Sequence, residues 1–272
     1  MSLNMSKNIN TLADRIHWMT QCKQLAQHWS TYQPEYNNVD SSGAMNIYRF
    51  IEALNRAMNH KVIVVTDAGS ASYALPQNLK CQPGQRFVFS SAQADMGCSV
   101  PAAVGVSMSA LDHRTVVVTG DGSFNSNIQE LATIRQHRLP VTIFVLNNSG
   151  YLSIKNTQQR FFENRVYGVN ADTGIWFPDL EQIARSYEFD YAAISSIDSV
   201  DQKVSAAIQH IGPIIIEVML MADQEIIPTQ MFKQVNGRRV QAALDDMYPF
   251  LPDKELEEWR TKLRSPAPWE AW

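Results

Sequence analysis

Five short apolar runs constrain this chain more than any other feature. They are Val62–Val65, Phe87–Phe89, Val116–Val118, Val141–Leu146 and Ile214–Val218, mostly β-branched and interrupted only by Thr142 and Glu217. A strand with one wet face alternates apolar and polar residues, whereas a strand covered on both faces reads as a continuous apolar run. Between the runs lie helical patterns at 99–110, 125–137, 179–186 and 200–210. This alternation predicts an α/β fold with a mainly parallel sheet flanked by helices on both faces.

Upstream, a helix is predicted over Thr11–Trp29, with Leu12, Ile16, Met19, Leu25 and Trp29 on one stripe, and a second over Met45–Met58. Residues 30–42 (STYQPEYNNVDSS) read as a linker. After Met221 no strand-like run is visible, and Pro228, Pro249, Pro252, Pro266 and Pro268 suggest a tail wrapping the domain. The expected organisation is therefore a helical extension and linker (1–44), a central domain (45–225) and a C-terminal tail packing on it (226–272).

Composition removes several classes of function. With 45% hydrophobic and 18% charged residues, the 272-residue chain can bury a substantial core, so disorder is not expected. The net charge is −4 with no basic stripe, which argues against nucleic acid or anionic lipid as a partner. The apolar runs fall far short of the roughly 20 residues that span a bilayer. Cys22, Cys81 and Cys98 form no CxxC and no even-numbered framework, so no thiolate-held metal or iron–sulfur cluster is expected. That usage, with polar first residues that do not resemble a signal peptide, predicts a reducing, cytoplasmic location.

Open parallel sheets bind ligands beyond the carboxyl ends of their strands. Three of the runs are followed by Thr66-Asp67-Ala68-Gly69-Ser70-Ala71-Ser72, Thr119-Gly120-Asp121-Gly122-Ser123-Phe124 and Asn147-Asn148-Ser149-Gly150-Tyr151. Glycines there let backbone N–H groups approach a phosphate, and helix N-termini expected near Ala71 and Asn125 favour its charge. A diphosphate also brings Mg²⁺, which takes oxygen ligands and few carboxylates. Asp121, the Asn148 side-chain carbonyl and the Gly150 backbone carbonyl would supply three such oxygens.

Gly120-Asp121-Gly122 followed by Asn147-Asn148 resembles the diphosphate–Mg²⁺ motif of thiamine diphosphate enzymes. Ala94-Asp95-Met96-Gly97-Cys98-Ser99-Val100-Pro101-Ala102-Ala103-Val104-Gly105 is similar to the G-x-M-G-x-x-x-P-A-A-x-G segment of the acetolactate synthase-like branch. Asn147–Lys155 resembles that branch's NNxGYxSI[KR] segment, and Leu244–Pro252 (LDDMYPFLP) is similar to a stretch of some sugar-modifying members. The resemblance spans roughly residues 45–252 and implies the thiamine diphosphate-binding fold.

Carried over by position, it implies that Gly69, Ser70, Gly122 and Ser123 hold the diphosphate, with Gly120 and Tyr151 completing the cofactor contacts. Asp121, Asn148 and Gly150 would bind Mg²⁺. Met96 would wedge the cofactor into its bent conformation, and the Ala94 carbonyl would accept a hydrogen bond from the 4′-amino group, which makes these two the catalytic candidates. The family often has Gly at position 94 and Gln-His at 70–71, where this chain has Ala and Ser-Ala.

The resemblance further implies a subunit of a split enzyme that decarboxylates a 2-oxo acid, pyruvate first among candidates, and ligates the acyl unit to an aldehyde or ketone. A separate pyrimidine-binding-domain subunit would supply the catalytic glutamate, in a heterotetramer. The alternatives are a subunit of a simple 2-oxo acid decarboxylase of the sulfopyruvate or phosphonopyruvate type, or a non-catalytic cofactor-binding scaffold. Remaining notable residues read as structural: Met108, Met219 and Met221 as core, Trp176 and Phe177 as packing, Glu52 and Glu217 as isolated, and Arg238-Arg239 as a solvated turn. The six histidines are scattered, with none expected to be catalytic.

Overall fold

A computed structural model describes residues 12–30, 32–59 and 61–264. The chain divides into two compact units, one of Met1–Thr31 with Ile227–Trp272 and a larger one of Tyr32–Ile226.

Within the smaller unit, α1 (Leu12–His28) leaves Ile16, Trp18 and Met19 exposed, so the predicted apolar stripe is not a buried one. The larger unit runs α2 (Ile47–Ala57), β1 (Val62–Thr66), α3 (Gly69–Asn78), β2 (Arg86–Val88), α4 (Ser99–Ser109), β3 (Arg114–Gly120), α5 (Asp121–Asn125), α6 (Glu130–Gln136) and β4 (Val141–Asn147). It continues through α7 (Leu152–Phe161), α8 (Leu180–Ser186), β5 (Asp190–Ile194), α9 (Val200–Gln209) and β6 (Ile214–Met219). The remaining elements are β7 (Phe232–Val235), β8 (Arg238–Gln241) and α10 (Asp253–Arg264), all in the smaller unit.

The six strands of the larger unit form an all-parallel sheet in the order β2-β1-β3-β4-β6-β5. Its four central strands are the apolar runs read from sequence, and their Val, Ile and Phe side chains are almost wholly buried. A core of Val117, Phe124, Leu131, Ile143, Leu180, Ile183 and Ile215 joins the sheet to its helices. Starting from β1, the chain adds β2 on one side and then β3 on the other. That reversal opens a crevice at the carboxyl ends of β1 and β3, where open α/β sheets place their ligands.

Two elements of this unit escaped the sequence reading. The edge strand β5 (DYAAI) has no continuous apolar run, because only Ile194 is fully buried. α7 buries only Leu152, so its sequence carries little periodicity. The helix expected over 125–137 is two helices, α5 and α6, and α5 begins at Asp121. Likewise α3 begins at Gly69 rather than near Ala71. Of residues 30–42, read as a linker, those from Tyr32 on fall in the larger unit: Tyr36 stacks on Tyr48 at 4.8 Å, and Asp40 Oδ1 accepts the N–H groups of Ser42 and Ala44.

The smaller unit corrects the expectation of a strandless tail. β7 and β8 form an antiparallel hairpin whose turn, Asn236-Gly237, has both φ angles positive, as a tight two-residue turn requires. Arg238 and Arg239 therefore lie in β8, not in the turn. Trp259 of α10 packs against Trp29 with ring centroids 4.6 Å apart, and Arg260 bridges Asp245 and Glu257. Among the described residues no helix is long and apolar enough to cross a membrane.

Candidate functional site

A buried carboxylate organises the crevice. Asp67, directly after β1, is fully buried; its Oδ1 accepts the Ala68 N–H at 2.7 Å. Its Oδ2 accepts the Ser99 hydroxyl at 2.8 Å, the Thr119 hydroxyl at 2.9 Å and the Gly97 N–H at 3.2 Å. One side chain thus ties the ends of β1 and β3 to the loop before α4. Burial pushes its carboxyl above the usual carboxylate range, although each of these donors favours the charged form. Asp67 carried no motif signal of its own in the sequence.

That loop presents Met96 and Ala94. Gly97 has φ +80°, and a Cβ there would lie 2.6 Å from the Ser126 Cβ, so only glycine fits beside α5. Met96, next to it, lines the crevice and is 42% exposed, which is not a core position. Ala94 has φ +52°, a left-handed conformation that a Cβ disfavours, and its N–H donates to the Ser90 carbonyl.

At the end of β3 the chain turns straight into α5. Asp121 Oδ1 accepts the Gly122 N–H at 2.7 Å and Oδ2 accepts the Gly150 N–H at 2.9 Å, joining the turns after β3 and β4. Burial pushes the Asp121 carboxyl up to about 6, against the lowering effect of the surrounding N–H groups. Because the Gly122 N–H is already taken, its small size serves a different purpose. A Cβ on Gly122 would lie 2.1 Å from the Tyr151 ring, which packs edge-on against Phe177 at 5.4 Å.

At the end of β4, Asn147 and Asn148 diverge. The Asn147 side chain donates to Glu217 at 2.5 Å and accepts the Ser149 N–H at 2.9 Å. The Asn148 Oδ1 is buried with no hydrogen-bond partner. The Gly150 carbonyl accepts the Leu152 N–H at 3.0 Å. An orphaned buried amide oxygen costs about 1–3 kcal/mol. Together with the Asp121 carboxylate and a backbone carbonyl it forms the hard-oxygen donor set that suits Mg²⁺. The residues present fit such a cation.

Of the residues singled out in the sequence, Gly69, Ser70, Met96, Gly120, Asp121, Gly122, Ser123, Asn148, Gly150 and Tyr151 all line this one crevice, of about 140 Å³; Ala94 does not. Ile47, Leu220 and Gln224 also line it and had no motif to reveal them, whereas Ser153 and Ile154, which line it too, belong to the Asn147–Lys155 segment. Gln224 is buried, with its Oε1 accepting the Ile47 N–H at 2.9 Å. Four further readings change. Glu217 has two neighbours, Asn147 and Tyr191. Glu52 pairs with Arg56 and Lys80. Trp176 is 80% exposed rather than packed, and Met108, at 52%, is not core. Among the described residues no histidine lines the crevice, and no group of three His, Cys, Asp or Glu is placed to hold a metal.

Comparison with known proteins gives this geometry its family. The family described as thiamine pyrophosphate enzyme, C-terminal TPP binding domain, matches residues 67–218, which include β2, β3, β4 and β5, all of β6 but Met219, and the whole Asp67–Gly150 region. The chain belongs to that family. This thiamine pyrophosphate-binding domain is acetolactate synthase-like. It is 30% identical over 168 residues to the acetolactate synthase large subunit of Cyanidium caldarium, covering 62% of this chain and 28% of that protein. Against acetolactate synthase isozyme 2 large subunit of Escherichia coli (strain K12) it is 28% identical over 166 residues, covering 61% and 30%. A putative thiamine pyrophosphate-containing protein, YdaP of Bacillus subtilis, is 24% identical over 217 residues, covering 79% and 36%. The chain thus spans about a third or less of the length of these relatives. In fold it is similar to the thiamine diphosphate-dependent 4-hydroxybenzoylformate decarboxylase of Rhodococcus jostii RHA1, with a TM-score of 0.60 at 23% identity over 69% of this chain and 34% of that one.

Proposed function

We propose that this chain is the diphosphate-holding half of a thiamine diphosphate-dependent enzyme that decarboxylates a 2-oxo acid, pyruvate by preference, and ligates the acyl unit to an aldehyde or ketone. The observation that carries this reading is the buried, partnerless Asn148 Oδ1 in the same crevice as Asp121, in a chain of a thiamine pyrophosphate-binding family. When bound, the cofactor would supply a nucleophilic carbon and a sink for the electron pair left behind when CO₂ departs. The protein's part is to hold and orient it.

Asp121, Asn148 and the Gly150 carbonyl would hold Mg²⁺, whose charge would offset that of the diphosphate. Gly69, Ser70, Gly120 and Ser123 face the diphosphate, with Gly122 and Tyr151 as the adjoining wall. Met96 lines the crevice, partly exposed, and would support the bound cofactor from its side of the cleft. Ala94 lies outside the crevice lining, and its carbonyl would serve as an acceptor for the cofactor's amino group only at the edge of the Met96 loop. Asp67 fixes the distance between the Met96 loop and the two strand ends.

A crevice of about 140 Å³ is smaller than the roughly 300–1,000 Å³ of typical ligand sites, which supports a second wall from another domain. Met96 and Ile154 on its lining are partly exposed apolar groups suited to being covered. We assign that wall to a pyrimidine-binding-domain subunit carrying the catalytic glutamate, in a heterotetramer with two copies of each chain. The three unpaired cysteines suit a cytoplasmic setting. The test is product analysis with pyruvate and carbonyl acceptors. The chain alone should release no CO₂, and mixing it with a pyrimidine-domain partner should give both CO₂ and an acyloin. Full turnover by the purified chain alone would remove the split-enzyme reading; CO₂ with no ligated product would move it to a simple decarboxylase.

A further inference from the structure

Glu217 lies outside the crevice, yet it is coupled to the turn that carries Asn148 and Gly150. The sheet register pairs Glu217 with Val145 of β4 and Ala193 of β5, Tyr191 with Ile215, and Asn147 with Met219. Side chains alternate along a strand, so Tyr191, Glu217 and Asn147 share one face and form a diagonal row across β5, β6 and β4. On that face Val145 and Ile215 are wholly buried, packed in the core with Leu180 and Ile183 of α8. A carboxylate beside such a core needs donors. Glu217 has two: the Tyr191 hydroxyl and the Asn147 Nδ2.

The chemistry of the three groups leaves one arrangement. A carboxylate only accepts, so the Asn147 amide must turn its NH₂ toward Glu217 and its Oδ1 away from it. There Oδ1 accepts the Ser149 N–H at 2.9 Å. Ser149 has φ +62°, a conformation uncommon for a residue with a Cβ, and this bond helps hold it. The residues on either side of Ser149 are Asn148, with its orphaned Oδ1, and Gly150, whose N–H meets Asp121. Tyr191 stays a donor because burial and the Glu217 carboxylate push its hydroxyl well above the usual tyrosine range. Asp179 and Glu181 act in the same direction.

We propose that Glu217 is a positioning residue for the cation site: it orients the Asn147 amide, which in turn sets the backbone that presents Asn148 and Gly150. This rests on the assignment of Asp121, Asn148 and Gly150 to Mg²⁺. Partners that orient a ligand without touching the metal typically change metal affinity by about 10–100-fold.

The test is Mn²⁺ titration of the full chain by electron paramagnetic resonance, with thiamine diphosphate present and circular dichroism confirming the fold. Asn147→Asp sets carboxylate against carboxylate and should weaken Mn²⁺ binding about tenfold or more. Adding Glu217→Gln to that variant reverses the polarity: the Gln NH₂ donates to the new carboxylate while its oxygen accepts from Tyr191. The double variant should recover most of the loss. Affinity in Asn147→Asp equal to wild type, or a double variant no tighter than Asn147→Asp, overturns the positioning role. If Asn147→Asp does not fold, a folded double variant near wild-type affinity supports it and a weak one overturns it. Asp121→Ala separates the two layers. If wild type and Asp121→Ala bind Mn²⁺ alike, the metal assignment itself fails; if only Asn147→Asp matches wild type, that assignment stands and Glu217 has no part in it.

Discussion

Gly122 and Tyr151 occupy what would be a single volume if either were larger: a Cβ on Gly122 would come within 2.1 Å of the Tyr151 ring. The ring cannot simply retreat, because Phe177 packs against it and the Tyr151 N–H is bonded to the Val169 carbonyl at 2.8 Å. Gly122→Ala should therefore destabilise by about 1–3 kcal/mol, the usual cost of overpacking. In a Tyr151→Ala background the same change should cost much less, since the clash is gone. Denaturant unfolding of the four chains of that cycle measures the coupling, and equal costs in both backgrounds would contradict it.

The cation set predicts a graded loss of cofactor. Asp121→Ala removes the only charged ligand and should abolish Mg²⁺-dependent retention of thiamine diphosphate while the fold survives, since Asp121 lies at the crevice rather than in the apolar core. Asn148→Ala removes a neutral ligand and should weaken retention less. It also removes a buried oxygen with no partner, so it should raise the apo melting temperature slightly. Equilibrium dialysis with and without Mg²⁺, beside thermal melts, checks both halves.

Met96 is partly exposed in the crevice, so trimming it leaves no sealed cavity. Met96→Ala should shift the melting temperature little, in contrast to the 2–5 kcal/mol lost when a buried Met is cut back. With the partner present, turnover should fall more than cofactor affinity. A large drop in stability, with turnover intact at saturating cofactor, would make Met96 a packing residue.

Arg49 of α2 is 7% exposed and pairs with Asp201 of α9. Its hydrogen bond holds the Asp201 carboxyl below the usual carboxylate range. A depressed carboxyl stabilises the fold fully above its unfolded value, near about 4, and loses that contribution as pH falls through the native value. Stability should decline on acidification below about pH 4, and Asp201→Asn should flatten that part of the curve. The variant should also be weaker at neutral pH by more than the roughly 1 kcal/mol of an exposed pair, because Arg49 loses its main acceptor while buried. Urea unfolding from pH 3 to 7 measures both effects.

The four central strands were legible because strands buried on both faces are apolar throughout, and these runs are short and rich in β-branched residues. That Asp121 and Asn148 fall at the ends of neighbouring strands and line one crevice was legible too, because each follows closely on an apolar run. β5 and α7 were not, since each fully buries a single side chain, Ile194 and Leu152, and so leaves neither a continuous run nor a stripe in the sequence. Asp67 and Glu217 were also invisible, for a different reason. A lone acidic residue beside an apolar run looks the same whether it is a solvated end or the centre of a network. What distinguishes them is the partner: Thr119, 52 residues from Asp67, and Asn147, 70 residues from Glu217. Those distances along the chain become hydrogen bonds only through parallel register and the order of strands across the sheet, which short-range sequence patterns do not encode.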